Sequence, residues 1–397
     1  MSQCRFEDRL CGQARVLHGL RTRVTARASD ELSEAFARIE SARRSGYWVA
    51  LLLEYELGEW LEPTLQPLAK PTPARATQGT QGTQGTPAVP QVTQAGQAGS
   101  PRLTALIFDH MSIEAPWTTA GHPTHSAAIL SIEPAITREA YIQRVEQLRA
   151  WIADGEVYQV NTTLPLTVRT SGNAQTLYRQ IASLHPSAHA AYIEDDARTV
   201  LSFSPELFLQ RSGQTLITRP MKGTAPRSAD PAQDKRLGAE LLASLKNRAE
   251  NLMIVDLLRN DLGRIALSGS VRADPLFSLE RYPSVWTMTS TVQAALQDNT
   301  TFESILRALF PCGSVTGAPK IAAMKKIQQT EPQLRGLYCG SLGWMAPSGD
   351  FSLNVAIRTL VMGEDGVGTY GVGGGIVHDS DPAQEWEECH WKARVLT

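Results

Sequence analysis

Residues 338–377, YCGSLGWMAPSGDFSLNVAIRTLVMGEDGVGTYGVGGGIV, decide the fold class of this chain. Three runs rich in β-branched, aromatic and aliphatic residues are separated by the turn sequences APSGD and EDG, so this stretch predicts successive antiparallel strands. The helical pattern AQEWEECHWKARVL follows at 383–396. Runs of strands interrupted by helices, without a regular alternation of the two, are typical of an α+β fold.

Elements further upstream have the same character. The stretch LFLQRSGQTLITRP at 207–220 predicts a β-hairpin that turns at its Ser-Gly pair. Thr137 is a suitable N-cap for a helix whose apolar residues recur at helical spacing. A second helical pattern runs from Pro231 to about Arg259 and predicts one long helix.

The segment from residue 66 to residue 102 differs from the rest in composition. It is rich in Pro, Thr, Gln and Gly, and TQG occurs three times in a row at 77–85. Because it has few apolar side chains to offset the entropy lost on ordering, it predicts a disordered insertion. We therefore divide the chain into an N-terminal part of the sheet at 1–65, this insertion, and a main region at 103–397.

The composition excludes several functional classes. The 38 Lys and Arg residues nearly balance the 40 Asp and Glu residues, so nothing favours binding to nucleic acid or to an anionic membrane. There is no run of about 18 apolar residues, and the charged N-terminus lacks the apolar region of a signal peptide, so we expect a cytoplasmic protein. The five cysteines are scattered without a C-x-x-C pair, which predicts reduced thiols.

Three glutamates are candidates for holding a cation. Glu385 and Glu388 are three residues apart and face the same side of the last predicted helix. Their alternative role is to complement the dipole of that helix. Glu250 lies in a markedly apolar helical stretch, where its alternative is an ion pair with Arg248 or Arg259. Hard oxygen ligands from two helices, completed by water and substrate, are the usual arrangement for Mg²⁺.

Lys222 and Glu206 are candidates for catalysis. Lys222 follows a predicted strand and precedes a Gly-Thr turn, so its amine could be held on rigid backbone. In a partly dry pocket such a lysine becomes a nucleophile, whereas most lysines beside turns are simply solvated. Glu206, sixteen residues earlier, would be a general acid if it were buried, and an ordinary surface glutamate otherwise.

Arg358 and a glycine run are candidates for ligand binding. Arg358 occurs in the otherwise apolar stretch NVAIRT, where it either binds an anion with both nitrogens or forms an internal ion pair. The run GVGGG at 371–375 lets backbone approach a ligand closely. It lacks the G-x-G-x-x-G spacing, so it does not predict a nucleotide site.

Eight segments resemble the chorismate-utilising enzymes, in the same order along the chain. They are DGEVYQVN, SFSPELF, RPMKGTAPR, AENLMIVDLLRNDLGRI, FPCGSVTGAPK, YCGSLGW, FSLNVAIRT and GVGGGIVHDSDPAQEWEEC. The resemblance runs from about Ile136 to Lys392 and is weaker before residue 60. It implies that residues 1–65 form an abbreviated N-terminal part of the sheet and that 103–397 is the chorismate-binding catalytic region. It implies a single large α+β domain in which two layered antiparallel β-sheets form a sandwich with helices outside, with the active site in a cleft between them.

Three positions distinguish members of this family. Lys222 stands where the anthranilate-forming members usually carry alanine, and Gln159 stands where the water-using members carry lysine. Thr287 replaces a histidine linked to pyruvate elimination. The resemblance therefore implies amination of chorismate to 4-amino-4-deoxychorismate, for 4-aminobenzoate and folate synthesis. The alternatives are an anthranilate-forming subunit and a non-catalytic chorismate-binding partner of an amidotransferase.

The resemblance also implies roles for individual residues. Lys222 attacks C2 of chorismate while Glu206 protonates the departing hydroxyl, and ammonia then displaces the lysine. Mg²⁺ is held by Glu250 and Glu388, with Glu385 assisting. The implied substrate contacts are Gly223, Thr224, Thr316, Tyr338, Arg358, Gly373, Gly374, Gly375 and Lys392. The sequence has no G-x-C-x-G glutaminase motif, and Cys312 in FPCGS is expected to be a packing residue, so a separate glutamine amidotransferase subunit is implied as the ammonia source.

Overall fold

A computed structural model of the chain describes residues 3–65, 100–119, 127–196, 198–282 and 285–396. The strands are β1 (Cys4–Asp8), β2 (Gln13–Ala26), β3 (Trp48–Leu53), β4 (Leu103–Glu114), β5 (Ala128–Pro134), β6 (Gln159–Ser171), β7 (His189–Asp195), β8 (Arg198–Ser204), β9 (Leu207–Ser212), β10 (Thr215–Arg219), β11 (Met221–Pro226), β12 (Arg272–Ala273), β13 (Ser278–Arg281), β14 (Val285–Thr289), β15 (Val292–Ala295), β16 (Gly317–Ala318), β17 (Ser341–Met345), β18 (Phe351–Asn354), β19 (Thr359–Gly363) and β20 (Val367–Ile376). The helices are α1 (Leu32–Arg44), α2 (Leu57–Leu61), α3 (Arg138–Ala153), α4 (Ala174–Leu184), α5 (Pro231–Ala243), α6 (Leu245–Gly263), α7 (Phe302–Leu309), α8 (Lys320–Thr330) and α9 (Pro382–Ala393).

Most of the strands form one continuous antiparallel sheet. Its hydrogen-bonded order is β5-β6-β20-β19-β8-β7-β1-β2-β4-β3-β17-β18-β9-β10-β15-β12, and β16 joins β6. A separate three-stranded sheet has the order β11-β14-β13. The second sheet carries Lys222.

The large sheet folds into two layers with helices outside. Successive side chains of a strand point to opposite faces. On β3, Leu52 belongs to a hydrophobic cluster that also contains Ile193 of β7, far along the sheet, so this cluster lies between the layers. Leu51 belongs to a second cluster with Phe36 of α1 and Tyr178 of α4. The predicted α+β sandwich is confirmed, and its two layers are halves of one hydrogen-bonded sheet.

Two neighbouring chain segments cross between the layers. One links β8 to β9 and carries Glu206, and the other links β18 to β19 and carries Arg358. The segments are hydrogen-bonded together: the Ser204 hydroxyl donates to the Val355 carbonyl at 2.6 Å, and the Val355 N–H donates to the Glu206 carbonyl at 3.0 Å. This pairing brings two candidate site residues from distant parts of the sequence to one place.

Several local predictions can be compared with these elements. The hairpin is confirmed, because Ser212 of β9 pairs with Thr215 of β10. The cap of α3 is confirmed, because the Thr137 hydroxyl accepts from the Ala140 N–H at 3.2 Å. The single long helix from Pro231 to about Arg259 is wrong. Ser244 takes an extended conformation and its hydroxyl caps a new helix, so α5 ends there and α6 begins.

The low-complexity segment falls between two paired strands. Leu53, at the end of β3, pairs with Leu103, at the start of β4. Of the segment 66–102 predicted to be disordered, residues 66–99 lie outside the described residues. Residues 100–102 are described, and the Arg102 N–H donates to the Ala26 carbonyl at 2.9 Å. In the described ranges, no helix is both long enough and apolar enough to cross a membrane.

Candidate active site

Lys222 lies in a β-bulge of β11. Met221 and Thr224 pair with residues of β14 that are only two positions apart, so Lys222 and Gly223 together face a single residue of that strand. Gly223 has φ +88°, a conformation that favours glycine, and a Cβ there would lie 3.2 Å from the Asn247 side chain. A bulge changes the direction of a side chain. Here the bulge sets the direction in which the Lys222 side chain leaves β11.

The amine of Lys222 lies next to β20 of the other sheet. A Cβ placed on Gly375 would be 3.4 Å from Lys222 Nζ and 2.5 Å from Gln159 Nε2. Gln159 is fully buried, and neither polar atom of its amide has a hydrogen-bond partner among the described residues. The Lys222 amine therefore lies close to the backbone of Gly375.

Burial lowers the pKa of the Lys222 amine, which opposes its protonation. Its charged neighbours, in decreasing order of influence, are Glu206, Lys392, Glu250 and Glu388. The three carboxylates raise this pKa and Lys392 lowers it, without reversing the effect of burial. A lysine held in this way has a larger neutral fraction and is a better nucleophile than an exposed one.

Glu206 is buried in the crossover between β8 and β9, with 4% of its surface exposed. Burial raises the pKa of its carboxyl group to about 7, against hydrogen bonds from the Ser314 hydroxyl and the Met221 backbone and the nearby charges of Lys222 and Arg358. Its Oε1 has no hydrogen-bond partner among the described residues. The surface-glutamate alternative does not apply, and the group is suited to donating a proton near neutral pH.

Arg358 has a strained backbone and an unpaired guanidinium. Its φ is +50°, which non-glycine residues rarely adopt. Burial lowers its pKa, although the nearby Tyr370, Tyr282 and Glu206 raise it. Within the described part of the chain the guanidinium has no hydrogen bond or ion pair. The internal ion pair considered from the sequence is therefore not found, and the group remains available for an anion.

Helix α9 places Glu385, Glu388 and Lys392 beside the glycine run. Lys392 Nζ lies 2.6 Å from Glu388 Oε1 and donates to the Gly373 carbonyl at 2.6 Å. A Cβ on Gly374 would lie 2.9 Å from Glu385 Oε2 and 3.9 Å from Glu388 Oε1. The absence of side chains at the glycine run therefore lets the two acids approach the strand.

The environments of the two acids differ. Burial and the neighbouring Glu388 raise the pKa of Glu385, although a hydrogen bond from the Ser380 hydroxyl, 2.7 Å away, opposes the shift. Burial also acts to raise the pKa of Glu388, but the charge and hydrogen bond of Lys392 outweigh it and the net pKa is lowered. The structure thus brings two of the three predicted metal ligands together.

Glu250, the third predicted ligand, lies half-buried on α6 and is close enough to Lys222 to raise the pKa of that amine. Neither ion pair suggested by the sequence is present: Arg259 pairs with Asp256 at 3.0 Å, and Arg248 lies over the ring of Phe277. Among the described residues, no three acidic, histidine or cysteine side chains converge into a set that could hold a metal ion.

The other predicted substrate contacts have different local surroundings. Thr316 is buried and its hydroxyl donates to the carbonyls of Cys312 and Gly313, both at 3.2 Å, so it stabilises its own loop. The ring of Tyr338 packs against Gly371, just before the glycine triplet. Thr224 is exposed on β11.

Reasoning from the sequence missed Ser314. Its hydroxyl lies 3.2 Å from Cys312 Sγ and is close enough to Glu206 to lower the pKa of that carboxyl group. Its position in the block FPCGSVTGAPK was the only signal, and serine is common in loops of no catalytic importance. The contact depends on a loop that meets the Glu206 crossover only in the folded protein.

An amine with a lowered pKa beside a buried acid is suited to nucleophilic and acid–base chemistry. An unpaired guanidinium near them is suited to a carboxylate group. The fold and the site thus define an enzyme that acts on a small carboxylate-bearing molecule.

Comparison with known proteins assigns the family. The family model described as chorismate binding enzyme matches residues 2–397, and the chain belongs to this family. The resemblance found in the sequence is therefore confirmed. Similar proteins include "Aminodeoxychorismate synthase component 1" of Klebsiella aerogenes, which is 40% identical over 74% of this chain and 68% of its own. The protein of the same name from Escherichia coli (strain K12) is 40% identical over 66% of this chain and 58% of its own. "Anthranilate synthase component 1" of Aquifex aeolicus is 39% identical over 66% of this chain and 52% of its own.

The chain spans between about half and two thirds of the length of these relatives.

Two solved structures share the fold. A putative 2,3-dihydroxybenzoate-specific isochorismate synthase from Bacillus anthracis has a TM-score of 0.74 at 22% identity, covering 100% of this chain and 95% of that one. The menaquinone-specific isochorismate synthase of Escherichia coli has a TM-score of 0.73 at 19% identity, covering 100% and 88%. They confirm the predicted fold.

Proposed function

We propose that this chain aminates chorismate at C4, forming 4-amino-4-deoxychorismate for 4-aminobenzoate and folate synthesis. The observation that carries the proposal is the position of the Lys222 amine, which is beside Gly375 and has Glu206 as its most influential charged neighbour. Relatives named aminodeoxychorismate synthase component 1, at 40% identity, support it.

The first half of the reaction uses Lys222 and Glu206. The neutral amine attacks C2 of the ring, the double bond shifts, and the C4–O bond breaks. Glu206 gives its proton to the departing hydroxyl, which leaves as water. Burial favours both required forms, because it lowers the pKa of the Lys222 amine and raises that of the Glu206 carboxyl to about 7.

In the second half of the reaction the ring double bond moves back. Ammonia attacks C4, the bond between C2 and the lysine nitrogen breaks, and the free amine of Lys222 is restored. The proton lost from the new amino group returns to Glu206. The net change is the replacement of a hydroxyl by an amino group with release of water, and two allylic steps replace one difficult substitution.

Arg358 and Lys392 bind the substrate's negative charge. Chorismate carries two carboxylates, and the unpaired guanidinium of Arg358 suits the one on the enolpyruvyl group. Lys392 adds a positive charge beside the glycine run, where it contacts the Gly373 carbonyl. Gly373 to Gly375, Gly223 and Thr224 line the cleft through their backbone, with Thr316 and Tyr338 behind it.

The acids beside the glycine run fit a magnesium ion. Glu385 and Glu388 are close enough for the charge of Glu388 to raise the pKa of Glu385, and a divalent cation would relieve that repulsion. Their oxygens are the hard ligands that Mg²⁺ prefers. We assign Glu385 and Glu388 as residues that would hold it, with Glu250 of α6 as a further ligand, although the three do not converge into one cluster among the described residues. A bound Mg²⁺ would neutralise the ring carboxylate and orient the substrate.

A glutamine amidotransferase subunit is proposed as the source of ammonia. The name "component 1" borne by the relatives is consistent with a two-component enzyme. The chain's sequence has no glutaminase motif of its own. With ammonium salt in place of glutamine, the chain alone should therefore react.

The test is a product assay. Purified protein with chorismate, Mg²⁺ and ammonium salt should give 4-aminobenzoate once an aminodeoxychorismate lyase is added. Lys222→Ala should lower the rate by at least about 100-fold, since it removes the nucleophile. Lys235→Ala, at an exposed lysine of α5, is the matched control and should leave the rate unchanged. Anthranilate as the product would favour the second candidate function, which the relative named anthranilate synthase component 1 supports.

A further inference from the structure

Ser244 interrupts an otherwise continuous helical pattern, and the proposed reaction gives this break no role. Its N–H donates to the Leu241 carbonyl at 3.2 Å and so ends α5, and its side chain begins α6. Its own backbone is extended, at φ −63° and ψ 110°. A single residue thus separates two helices that the sequence pattern would join, and the break needs an explanation.

The Ser244 hydroxyl fixes the side chain of Asn247 in the first turn of α6. The Asn247 N–H donates to Ser244 Oγ at 3.3 Å, and the Asn247 side-chain amide donates to the same oxygen at 3.0 Å. An N-cap hydroxyl ordinarily satisfies a backbone donor of the first helical turn. Here it also accepts from a side chain, so it sets the direction in which the Asn247 amide points.

Asn247 in turn packs against the bulge that carries Lys222. A Cβ on Gly223 would lie 3.2 Å from each of three Asn247 atoms, Cβ, Cγ and Oδ1, so this side chain occupies the space beside Gly223. The regular ladder between β11 and β14 is interrupted at Lys222 and Gly223. Because the ladder does not hold these two residues, their position depends on other contacts, and the contact with Asn247 is one of them.

The helix that carries Asn247 is itself attached to the three-stranded sheet. Ser290, directly after β14, donates its hydroxyl to Asn251 Oδ1 of α6 at 2.6 Å, and the Phe277 N–H, directly before β13, donates to Ser290 Oγ at 3.0 Å. Asn251 and Ser290 are both buried. Asn251 follows Asn247 by four residues, so the two lie on one face of α6. The helix therefore rests on this sheet at two points, one of which is the bulge.

We propose that the Ser244 break positions the nucleophile, because it holds the Asn247 amide against Gly223 and so fixes the bulge from which the Lys222 amine reaches the substrate. The inference deepens the proposed function and rests on it, since it takes Lys222 to be the group that attacks the ring. Ser244 and Asn247 are positioning residues that act through Lys222.

The two sides of the site are carried by different parts of the fold. Arg358 follows β18 of the large sheet and Lys392 lies on α9, whereas Lys222 belongs to the three-stranded sheet. A shift of the bulge should therefore slow the attack of the amine without weakening the binding of chorismate. A misplacement of about 1 Å between reacting atoms can cost about 100-fold in rate, so a smaller shift still has a measurable effect.

The experiment measures kcat and KM of ammonium-dependent amination, at saturating Mg²⁺, for the wild type and three variants. Ser244→Ala should lower kcat by about tenfold and change KM for chorismate by less than about twofold, because the bulge loses support while the substrate contacts remain. Asn247→Ala should have the same effect. Ser244→Thr keeps a hydroxyl at the cap and should restore the wild-type kcat.

Asn173→Ala is the matched control. The Asn173 side chain caps α4 by accepting from the N–H groups of Gln175 and Thr176 at 2.8 and 3.2 Å, and α4 packs against β7 and β8 of the large sheet. Loss of this cap should lower the melting temperature about as much as Ser244→Ala does, without lowering kcat. If Ser244→Ala does not fold, as judged by its melting temperature, Asn247→Ala decides the matter.

Four results would overturn the inference while the amination reaction itself survives. They are a wild-type kcat in either Ser244→Ala or Asn247→Ala, equal losses of kcat in Ser244→Ala and Asn173→Ala, a Ser244→Thr enzyme as slow as Ser244→Ala, and a loss that appears in KM alone. Absence of any aminated product from the wild type is a different result, because it rejects the proposed function and the role of Ser244 together.

Discussion

Replacing Gly375 by alanine tests the packing on which the site depends. The new Cβ would lie 2.5 Å from Gln159 Nε2, 3.1 Å from Gln159 Cδ and 3.4 Å from Lys222 Nζ. Ordinary contacts between heavy atoms begin near 3.5 Å, so the Gln159 amide would have to move by about 1 Å. Gln159 is only 1% exposed, so its amide cannot simply turn out into solvent. Because Gly375 does not have a positive φ, the effect comes from this collision and not from backbone strain.

We expect Gly375→Ala to lower the free energy of unfolding by about 1–3 kcal/mol, as for overpacking of a well-filled core. A displacement of about 1 Å near the amine should lower kcat/KM by about 100-fold. Denaturant titration measures the first effect, and the ammonium-dependent product assay measures the second. Gly263→Ala is the matched control. A Cβ there has no neighbour within 4 Å, so this variant should change neither the free energy of unfolding nor kcat/KM.

A double variant tests whether the loss of stability in Gly375→Ala comes from the collision with the Gln159 side chain. Gln159→Ala removes the two nearest atoms and leaves Lys222 Nζ at an ordinary contact distance of 3.4 Å. Adding Gly375→Ala to Gln159→Ala should therefore cost much less stability than adding it to the wild type, a coupling typical of residues in contact. Equal costs in the two backgrounds, or a Gly375→Ala enzyme with wild-type kcat/KM, would refute the reasoning.

Three further predictions concern the charged groups. The pKa of Glu206 is raised from 4.5 to about 7, so its ionisation opposes folding. The wild type should lose stability relative to Glu206→Gln as the pH rises from about 4.5 to 7, by about 3 kcal/mol in total, measured by denaturant titration at each pH. Arg358→Lys should raise KM for chorismate by about 10- to 100-fold in steady-state kinetics, because a bidentate contact is lost. The control Arg264→Ala, at an exposed arginine directly after α6, should leave KM unchanged. Glu388→Gln should raise the Mg²⁺ concentration needed for half-maximal activity by at least about tenfold, and Glu387→Gln on another face of α9 should leave it unchanged; equal responses would contradict the assigned ligands.

The local elements could be predicted because their causes are local. The hairpin, the Thr137 cap and the shared face of Glu385 and Glu388 depend only on residues within a few positions of one another. The one local prediction that was wrong, a single helix from Pro231 to about Arg259, also has a local cause. Ser244 lies within a continuous helical pattern, and its tendency to cap a new helix outweighed that pattern.

The pairing of distant segments could not be predicted in the same way. Nothing in the neighbourhood of Glu206 or Arg358 indicates that their two crossovers are hydrogen-bonded together, and nothing near Lys222 indicates that a bulge directs it towards Gly375. A period-two pattern identifies a strand but not its partner. The sequence alone therefore determined the class of fold and the types of residue available for chemistry.

Only the tertiary structure decided which of those residues act together, and how. Glu206 is an ordinary carboxyl group until the sheet layers close over it, and burial then raises its pKa to about 7. Burial also lowers the pKa of the nearby Lys222 amine, and Ser314 reaches Glu206 only after the loop that carries it has docked. Solvent exclusion and contacts between remote segments set these properties, and both exist only in the folded chain.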